Sequence, residues 1–407
     1  MQYKLGAGGE KRLAEYVDEI GNVLANKKRR ASFACYAMGL FGDGERKSVE
    51  PIAARACADP EAIDAVHQRL LHFITDSAWS DLEVRRTAAR YALSVMTEHE
   101  PVEAWIIDDT GFLKQGRHSV GVQRQYTGSA GKIANCQMAV SLSLATRREH
   151  LPVDFELYLP KSWLDDPARR QEARIPDDVE FETKFELALD MIRRGVEAKL
   201  PRGVVLADSW YGDSADFRAN IRQLGLHYAV GVSHNLKVWR VDRFGNRRGR
   251  EIALDELAAR APRRSIRRVT WKEGTKGKLS ARFAMQRVVP RHPDGTPSSA
   301  REDVWLVIEW EDGKKEPSNY YFSSLPKSVT KKQLVRIIKQ RWRTERVYED
   351  LKGELGLDHF EGRRLRGWQH HVSVVLCCYA FVAAERSRSF SPSAGRKMET
   401  GQELIAA

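Results

Sequence analysis

Hydrophobic residues recur every three or four positions over residues 10–98, as at Leu13, Tyr16 and Ile20. This spacing places apolar side chains along one face of an α-helix. The pattern therefore predicts an all-helical N-terminal domain over residues 1–98.

The pattern changes at residue 99. Residues 102–107 form a β-branched and aromatic run, and residues 203–207 form a short apolar run; both end in aspartate. Residues 183–196, between the two runs, have helical spacing. Alternating strands and helices are typical of an α/β fold. We therefore predict a mixed sheet with flanking helices over residues 99–232.

The next segment, residues 233–325, consists of short β-type runs broken by glycine, which predicts an inserted β-rich subdomain. Helical spacing returns over residues 331–357, within a last part of the core at 326–385. The Ser- and Arg-rich end, residues 386–407, is predicted to be disordered.

The chain carries a formal charge of +12, from 67 Lys and Arg against 55 Asp and Glu. Residues 233–301 alone contain 18 Lys and Arg against 6 Asp and Glu, so the excess lies in the β-rich insertion. A single-signed surplus of this size predicts a polyanionic partner, nucleic acid above all.

Apolar runs are too short to span a bilayer, and the first residues lack the apolar core of a signal peptide. The five cysteines show neither a disulfide framework nor zinc-ligand spacing. We therefore expect no membrane partner and a cytoplasmic location.

Acidic residues at three places along the chain are candidates for phosphodiester chemistry. Asp108 and Asp109 end one predicted strand, Asp208 ends another, and Glu345 lies on the late helix. Carboxylate oxygens suit Mg²⁺, and two such ions can activate an attacking oxygen and stabilise a leaving one.

On one continuous helix, with about 100° per residue, Arg341, Glu345 and Lys352 lie within about 40° of one another. This places the acid between two cations that could hold phosphates. The alternative is that Arg341 and Glu345 form an ordinary surface ion pair one turn apart.

Three sequence blocks carry a resemblance. DDTGFLKQG with SVGVQRQYTGSAGKIANCQ, then VVLADSWYGDSADF, and then RWRTERVYEDLK with GELGLDHFEGR and GWQHH follow one another along the chain. Together they resemble the DDE transposases of bacterial insertion sequences, in the subgroup with a Y-x2-R-x3-E-x6-K signature. Arg341, Glu345 and Lys352 match its last three letters, whereas Ile338 stands at the tyrosine position.

The resemblance implies an RNase H-like core that holds a triad of Asp108, Asp208 and Glu345, with Asp109 as the alternative first acid. It also implies two Mg²⁺ ions, for which Mn²⁺ can substitute. The implied partners are double-stranded DNA, both transposon ends and target, and a second copy of the chain in the synaptic complex.

The DNA-contact candidates combine the signature with the basic insertion: Arg341, Lys352, Trp271, Arg267, Arg268 and Lys276. The predicted function is transposition by strand cleavage and strand transfer at terminal inverted repeats. A catalytically silent transposase acting as a DNA-binding regulator, or a general RNase H-like nuclease, remains as the alternative.

Overall fold

The computed structural model describes residues 8–242, 244, 246–274, 277–292 and 303–389. The chain forms two compact units. Among the described residues, the first contains 8–100, 109–191 and 343–389, and the second contains 101–108 and those of 192–342. The chain passes from the second unit to the first between Asp108 and Asp109.

The N-terminal part of the first unit is helical. Its helices are α1 (Gly9–Val23), α2 (Lys27–Phe41), α3 (Val49–Ala56), α4 (Ile63–Thr75) and α5 (Asp81–Met96). Local side chains fix their starts: Asn26 accepts hydrogen bonds from two backbone amides of α2, and Ser80 accepts one from Glu83 of α5. Such caps satisfy amide groups that have no partner within the helix.

A long buried helix, α14 (Leu365–Arg388), packs against α5 and α4 of this unit. Its central residues are buried around the whole circumference, which explains the apolar run in the sequence. In the described ranges, none of the helices combines the length and apolar character needed to cross a bilayer.

The first unit also contains an antiparallel sheet. Strand β3 (Lys132–Ala145) pairs with β2 (Gln123–Thr127) and with β4 (His150–Leu157). Strand β1 (Ala104–Leu113) lies next to β3, and its last residues belong to this unit. Two short helices follow, α6 (Lys161–Leu164) and α7 (Pro167–Ala173), and then α8 (Lys184–Glu197).

In the second unit, parallel pairing joins the first half of β1 to β5 (Val204–Ala207) and β5 to β6 (Tyr228–Val232). Helices α9 (Ser209–Gly212) and α10 (Ala215–Gln223) connect β5 to β6. The connection places the end of β5 immediately before a helix start. This is the point at which Asp208 stands.

The basic segment continues the same sheet. Its elements are β7 (Lys237–Val241), β8 (Arg247–Ala253), α11 (Leu254–Ala259), β9 (Arg267–Gly274), β10 (Gly277–Pro290), β11 (Val304–Trp310) and β12 (Asn319–Ser323). Strand β12 pairs antiparallel with β6, so this β-rich stretch extends the core sheet of the second unit.

The prediction of one helix over residues 331–357 is wrong. The segment divides into α12 (Lys331–Ile338), a turn at 339–342, α13 (Arg343–Glu349) and a π-helical turn (Asp350–Glu354). Side chains of the turn bind distant acids, and these contacts outweigh the local helical preference. Arg341, Glu345 and Lys352 therefore do not share one helix face.

The predicted fold class is confirmed. The structure is a mixed α/β, RNase H-like arrangement, with parallel β1, β5 and β6, antiparallel strands beyond them and flanking helices. The N-terminal helices precede β1, and the β-rich stretch lies before α12 and α13. Of the predicted tail, residues 386–388 belong to α14, and residues 390–407 lie outside the described ranges.

Candidate active site

Two aspartates meet just beyond the parallel-paired residues of β1 and β5. Asp208 directly follows β5, whereas Asp108 lies within β1, so the prediction that the first strand ends at Asp108 and Asp109 is wrong. Ile106 of β1 is in register with Leu206 of β5, so Asp108 and Asp208 follow at equal depth along neighbouring strands. One carboxylate oxygen each of Asp108, Asp109 and Asp208 lies within 4.8 Å of the others. Parallel pairing therefore concentrates negative charge at one edge of the sheet.

The start of α9 orients Asp208. Its Oδ1 accepts hydrogen bonds from the backbone amides of Trp210, at 3.0 Å, and Tyr211, at 3.3 Å. Helix and strand approach closely here, because a Cβ added to Gly212 would lie 1.9 Å from the carbonyl oxygen of Gly231. The N-terminal cap of α9 therefore uses Oδ1 of Asp208, and Oδ2 takes no part in the cap.

Different basic side chains hold the two neighbouring acids of β1. In the second unit, Arg341 Nη1 lies 3.1 Å from Oδ2 of Asp108. In the first unit, Lys184 Nζ lies 2.5 Å from Oδ2 of Asp109. Sequence reasoning missed Lys184, because a single lysine at the start of a helix gives no signal for an acid 75 positions earlier.

The donor set fits a hard divalent cation. All three groups that meet are carboxylates, and Mg²⁺ and Mn²⁺ prefer oxygen ligands. Asp108 and Asp208, with Asp109 beside them, are the residues that could hold such an ion. Groups of soft or nitrogen ligands, which zinc or copper would favour, are not part of this cluster.

Glu345 lies in the first unit, on α13, with an exposed side chain, and is not part of the aspartate group. Contacts on both sides fix α13 within its unit. The Tyr348 hydroxyl lies 2.6 Å from Ser141 Oγ of β3, and the Arg343 guanidinium donates to the carbonyl oxygen of Arg147 at 3.0 Å.

Lys352, in the π-helical turn, binds the segment that follows Asp109 along β1. Its Nζ donates to the carbonyl oxygen of Gly111 at 2.8 Å and lies 3.2 Å from Ser129 Oγ. The ammonium also lies 5.3 Å from the ring centre of Phe112. Burial lowers the pKa of Lys352.

The predicted DNA-contact residues of the insertion differ in exposure. Arg267 and Arg268 are exposed, and Arg268 forms an ion pair with Asp312 at 2.8 Å. Trp271 is half-buried against Phe283. Lys276 lies outside the described residues.

A tryptophan that sequence reasoning did not single out is more exposed. Trp342, next to Arg341, is 44% exposed, whereas Trp310 is 5% exposed. The Lys272 ammonium lies 4.7 Å from the Trp342 ring centre. An exposed tryptophan paired with a cation is typical of surfaces on which nucleic-acid bases stack.

An open cleft of about 1180 Å³ borders the acids in the second unit. Asp208 and Arg341 line it together with His234, Arg263, Lys315 and Tyr321. Asp255, Glu256 and Glu316 also line the cleft, so its walls carry acidic as well as basic and aromatic side chains.

Comparison with known proteins adds two findings. The family model described as DDE superfamily endonuclease matches residues 19–278, which include Asp108 and Asp208 but not Glu345. A protein of Microchaete diplosiphon, described as a probable transposase for insertion sequence element IS701, is 29% identical over 222 residues. The match covers 54% of this chain and 53% of that protein, so it spans about half of the relative's length.

Proposed function

The chain belongs to the DDE superfamily of endonucleases, and on this basis we propose that it is the transposase of a bacterial insertion sequence. It binds the terminal inverted repeats, cleaves a strand at the element boundary and joins the released 3′ end to target DNA. The observation that carries the proposal is the convergence of Asp108 and Asp208 just beyond the parallel-paired residues of β1 and β5. The description of the Microchaete relative supports the same function.

In this proposal Asp108 and Asp208 hold the divalent ions, and Glu345 supplies the third carboxylate. When bound, two Mg²⁺ ions, or Mn²⁺ in their place, activate the attacking oxygen and stabilise charge on the leaving oxygen. The α9 cap keeps Asp208 in one orientation. We take Asp108 as the first acid, because the pairing of β1 with β5 places it at the same depth as Asp208, and Asp109 is the alternative.

Basic side chains would bind the phosphate backbone. We assign this role to Arg341 and to the exposed Arg267 and Arg268, with Trp271 and Lys276 of the insertion as further candidates and Lys352 as a candidate from the signature. Two ends must be joined in one reaction, so the active species is a homodimer on DNA at the nucleoid. If phosphate contacts dominate, affinity for end DNA will fall steeply with salt concentration.

The test is cleavage of labelled end DNA with Mg²⁺ or Mn²⁺. The native chain is compared with Asp208→Asn and Glu345→Gln, which remove a charge while keeping the shape of the side chain. Glu349→Gln, at an exposed acid one turn beyond Glu345, is the matched control. We expect metal-dependent cutting at the element boundary that both site variants lose while DNA binding persists.

Other outcomes would indicate other functions. Binding of end DNA without cutting by the native chain would favour a regulator. Cutting without preference for the element ends would favour a general nuclease. Loss of cutting in Glu349→Gln but not in Glu345→Gln would move the third acid to Glu349.

A further inference from the structure

A buried acid at the start of the first core strand has no role in the site described above. Glu103 is 8% exposed and directly precedes β1. Its Oε1 accepts a hydrogen bond from Arg336 Nη2 at 2.9 Å, and its Oε2 accepts one from Gln340 Nε2 at 2.7 Å. A carboxylate buried to this degree needs such partners, because leaving it unpaired would cost several kcal/mol.

Arg336 lies in the last turn of α12, Gln340 lies in the turn that follows, and the neighbour of Gln340 is Arg341. The Arg341 guanidinium reaches Asp108 at the other end of the first half of β1. At about 3.3 Å per residue, Glu103 and Asp108 are about 16 Å apart along the strand. The turn after α12 therefore spans this part of β1, with one side chain bound at each end.

A third acid completes the arrangement. Lys339 Nζ lies 2.5 Å from Oε1 of Glu309, which is 1% exposed and also accepts a hydrogen bond from the Tyr321 hydroxyl at 3.0 Å. Lys339, Gln340 and Arg341 are consecutive, and each binds a different acid. Such a turn has little freedom, so the position of Arg341 depends on the contacts of its neighbours.

The position of Arg341 matters for a cation at the acids. A guanidinium 3.1 Å from Asp108 reduces the negative potential that a divalent ion would meet at that carboxylate. Loosening the turn would move this charge away and leave Asp108 more open to a metal ion.

We propose that Glu103 is a positioning residue that holds Arg341 against Asp108 and thereby sets the metal affinity of the Asp108–Asp208 pair. The inference rests on the proposed function, because it takes the two aspartates as metal ligands. It adds Glu103, which touches neither the metal nor the DNA. This residue acts through its hydrogen bonds to Gln340 and Arg336.

The experiment is calorimetric titration of the full chain with Mn²⁺, without DNA. The variants are Glu103→Gln, Arg341→Gln and the double variant. We expect each single change to tighten Mn²⁺ binding about two- to fivefold, the size of a partly exposed ion pair. Because both act on the same contact, the double variant should bind no more tightly than Arg341→Gln alone.

Two further variants separate positioning from general stability. Asp303→Asn removes an ion pair of similar burial in the same unit, with Arg287 at 2.8 Å, and should leave Mn²⁺ affinity unchanged. Glu103→Gln combined with Gln340→Glu returns a carboxylate to the pair and should restore native affinity. If Glu103→Gln does not fold, as judged by circular dichroism, Gln340→Leu takes its place in the same cycle.

The outcomes distinguish this inference from the proposed function. If the native chain binds no Mn²⁺, or Asp208→Asn binds it equally well, the metal site and the inference both fail. If binding depends on Asp208 but Glu103→Gln has native affinity, the inference alone fails. Full additivity of the two single changes would also overturn it.

Discussion

Different interactions fix two regions of the molecule. One region contains the aspartates Asp108 and Asp208, and the other is the late segment 331–357. Backbone pairing of β1 with β5 fixes the first region, and the α9 cap adds local hydrogen bonds at Asp208. The late segment has strong helical periodicity, yet it divides at residues 339–342, where three consecutive side chains bind distant acids. The position of a residue that is fixed by backbone pairing can be predicted from the local sequence pattern. The course of a segment that is fixed by long side chains binding distant groups cannot.

The largest expected effect is the difference in cleavage rate between substitutions at Asp108 and at Asp109, the two neighbouring acids of β1. Asp108→Asn should lower the rate of end cleavage by about three orders of magnitude, since a lost metal ligand removes several kcal/mol of transition-state stabilisation. Asp109→Asn should lower it by about tenfold, because that carboxylate binds Lys184. The measurement is the single-turnover rate on labelled end DNA at fixed Mg²⁺, with DNA binding recorded in parallel.

Lys184→Gln is the control for this pair. It should reproduce the modest effect of Asp109→Asn, because the two side chains share one ion pair. A larger loss in Asp109→Asn than in Asp108→Asn would make Asp109 the first acid, and the strand register would then no longer indicate the metal ligands.

These residues also show what a sequence can reveal. The apolar runs before Asp108 and Asp208 predict two strands, and parallel pairing then brings the two acids together. The predicted end of the first strand is wrong, because β1 continues to Leu113. Lys184 and Gln340 bind acids 75 and 237 positions away, and no periodic signal connects them. The helical pattern over residues 331–357 was correct for each short helix, but it carried no information about the ion pairs that break them.

A second prediction concerns the pH dependence of stability, because a buried histidine anchors the chain just beyond the π-helical turn. His371 Nε2 lies 3.0 Å from the carbonyl oxygen of Gly356, and Nδ1 lies 2.9 Å from the Tyr36 hydroxyl. Burial lowers the pKa of His371 to about 4, against 6.5 for the exposed group. Between these values the unfolded chain binds a proton that the folded chain does not, so acid favours unfolding.

The contribution of His371 is fully present above about pH 6.5 and decreases as the pH falls toward 4. The loss amounts to at most about 3 kcal/mol for this group, at about 1.4 kcal/mol per pKa unit. Urea unfolding of the native chain and His371→Gln at several pH values measures it, and the variant should show the shallower dependence. His99→Gln, at an exposed histidine, should follow the native curve; equal slopes for native and His371→Gln would contradict the assignment.

The smallest effect concerns Lys352, for which the sequence and the structure suggest different roles. Its bond to the Gly111 carbonyl holds the π-helical turn against the end of β1. Lys352→Met should therefore lower the free energy of unfolding by about 1–2 kcal/mol, the value of a hydrogen bond to a charged group at a partly buried position. Chemical denaturation measures this change, and Lys332→Met, at an exposed lysine of α12, should be neutral.

The same variants decide whether Lys352 also binds DNA. If Lys352 contacts a phosphate, Lys352→Met should make the salt dependence of end-DNA affinity shallower by about one unit of slope, with little change in stability. If Lys352 contacts Gly111 alone, the variant should lose stability and keep the native slope. If Lys352→Met loses stability and slope together, the lysine serves both roles, and the late segment is then held to β1 by a side chain that also binds the substrate.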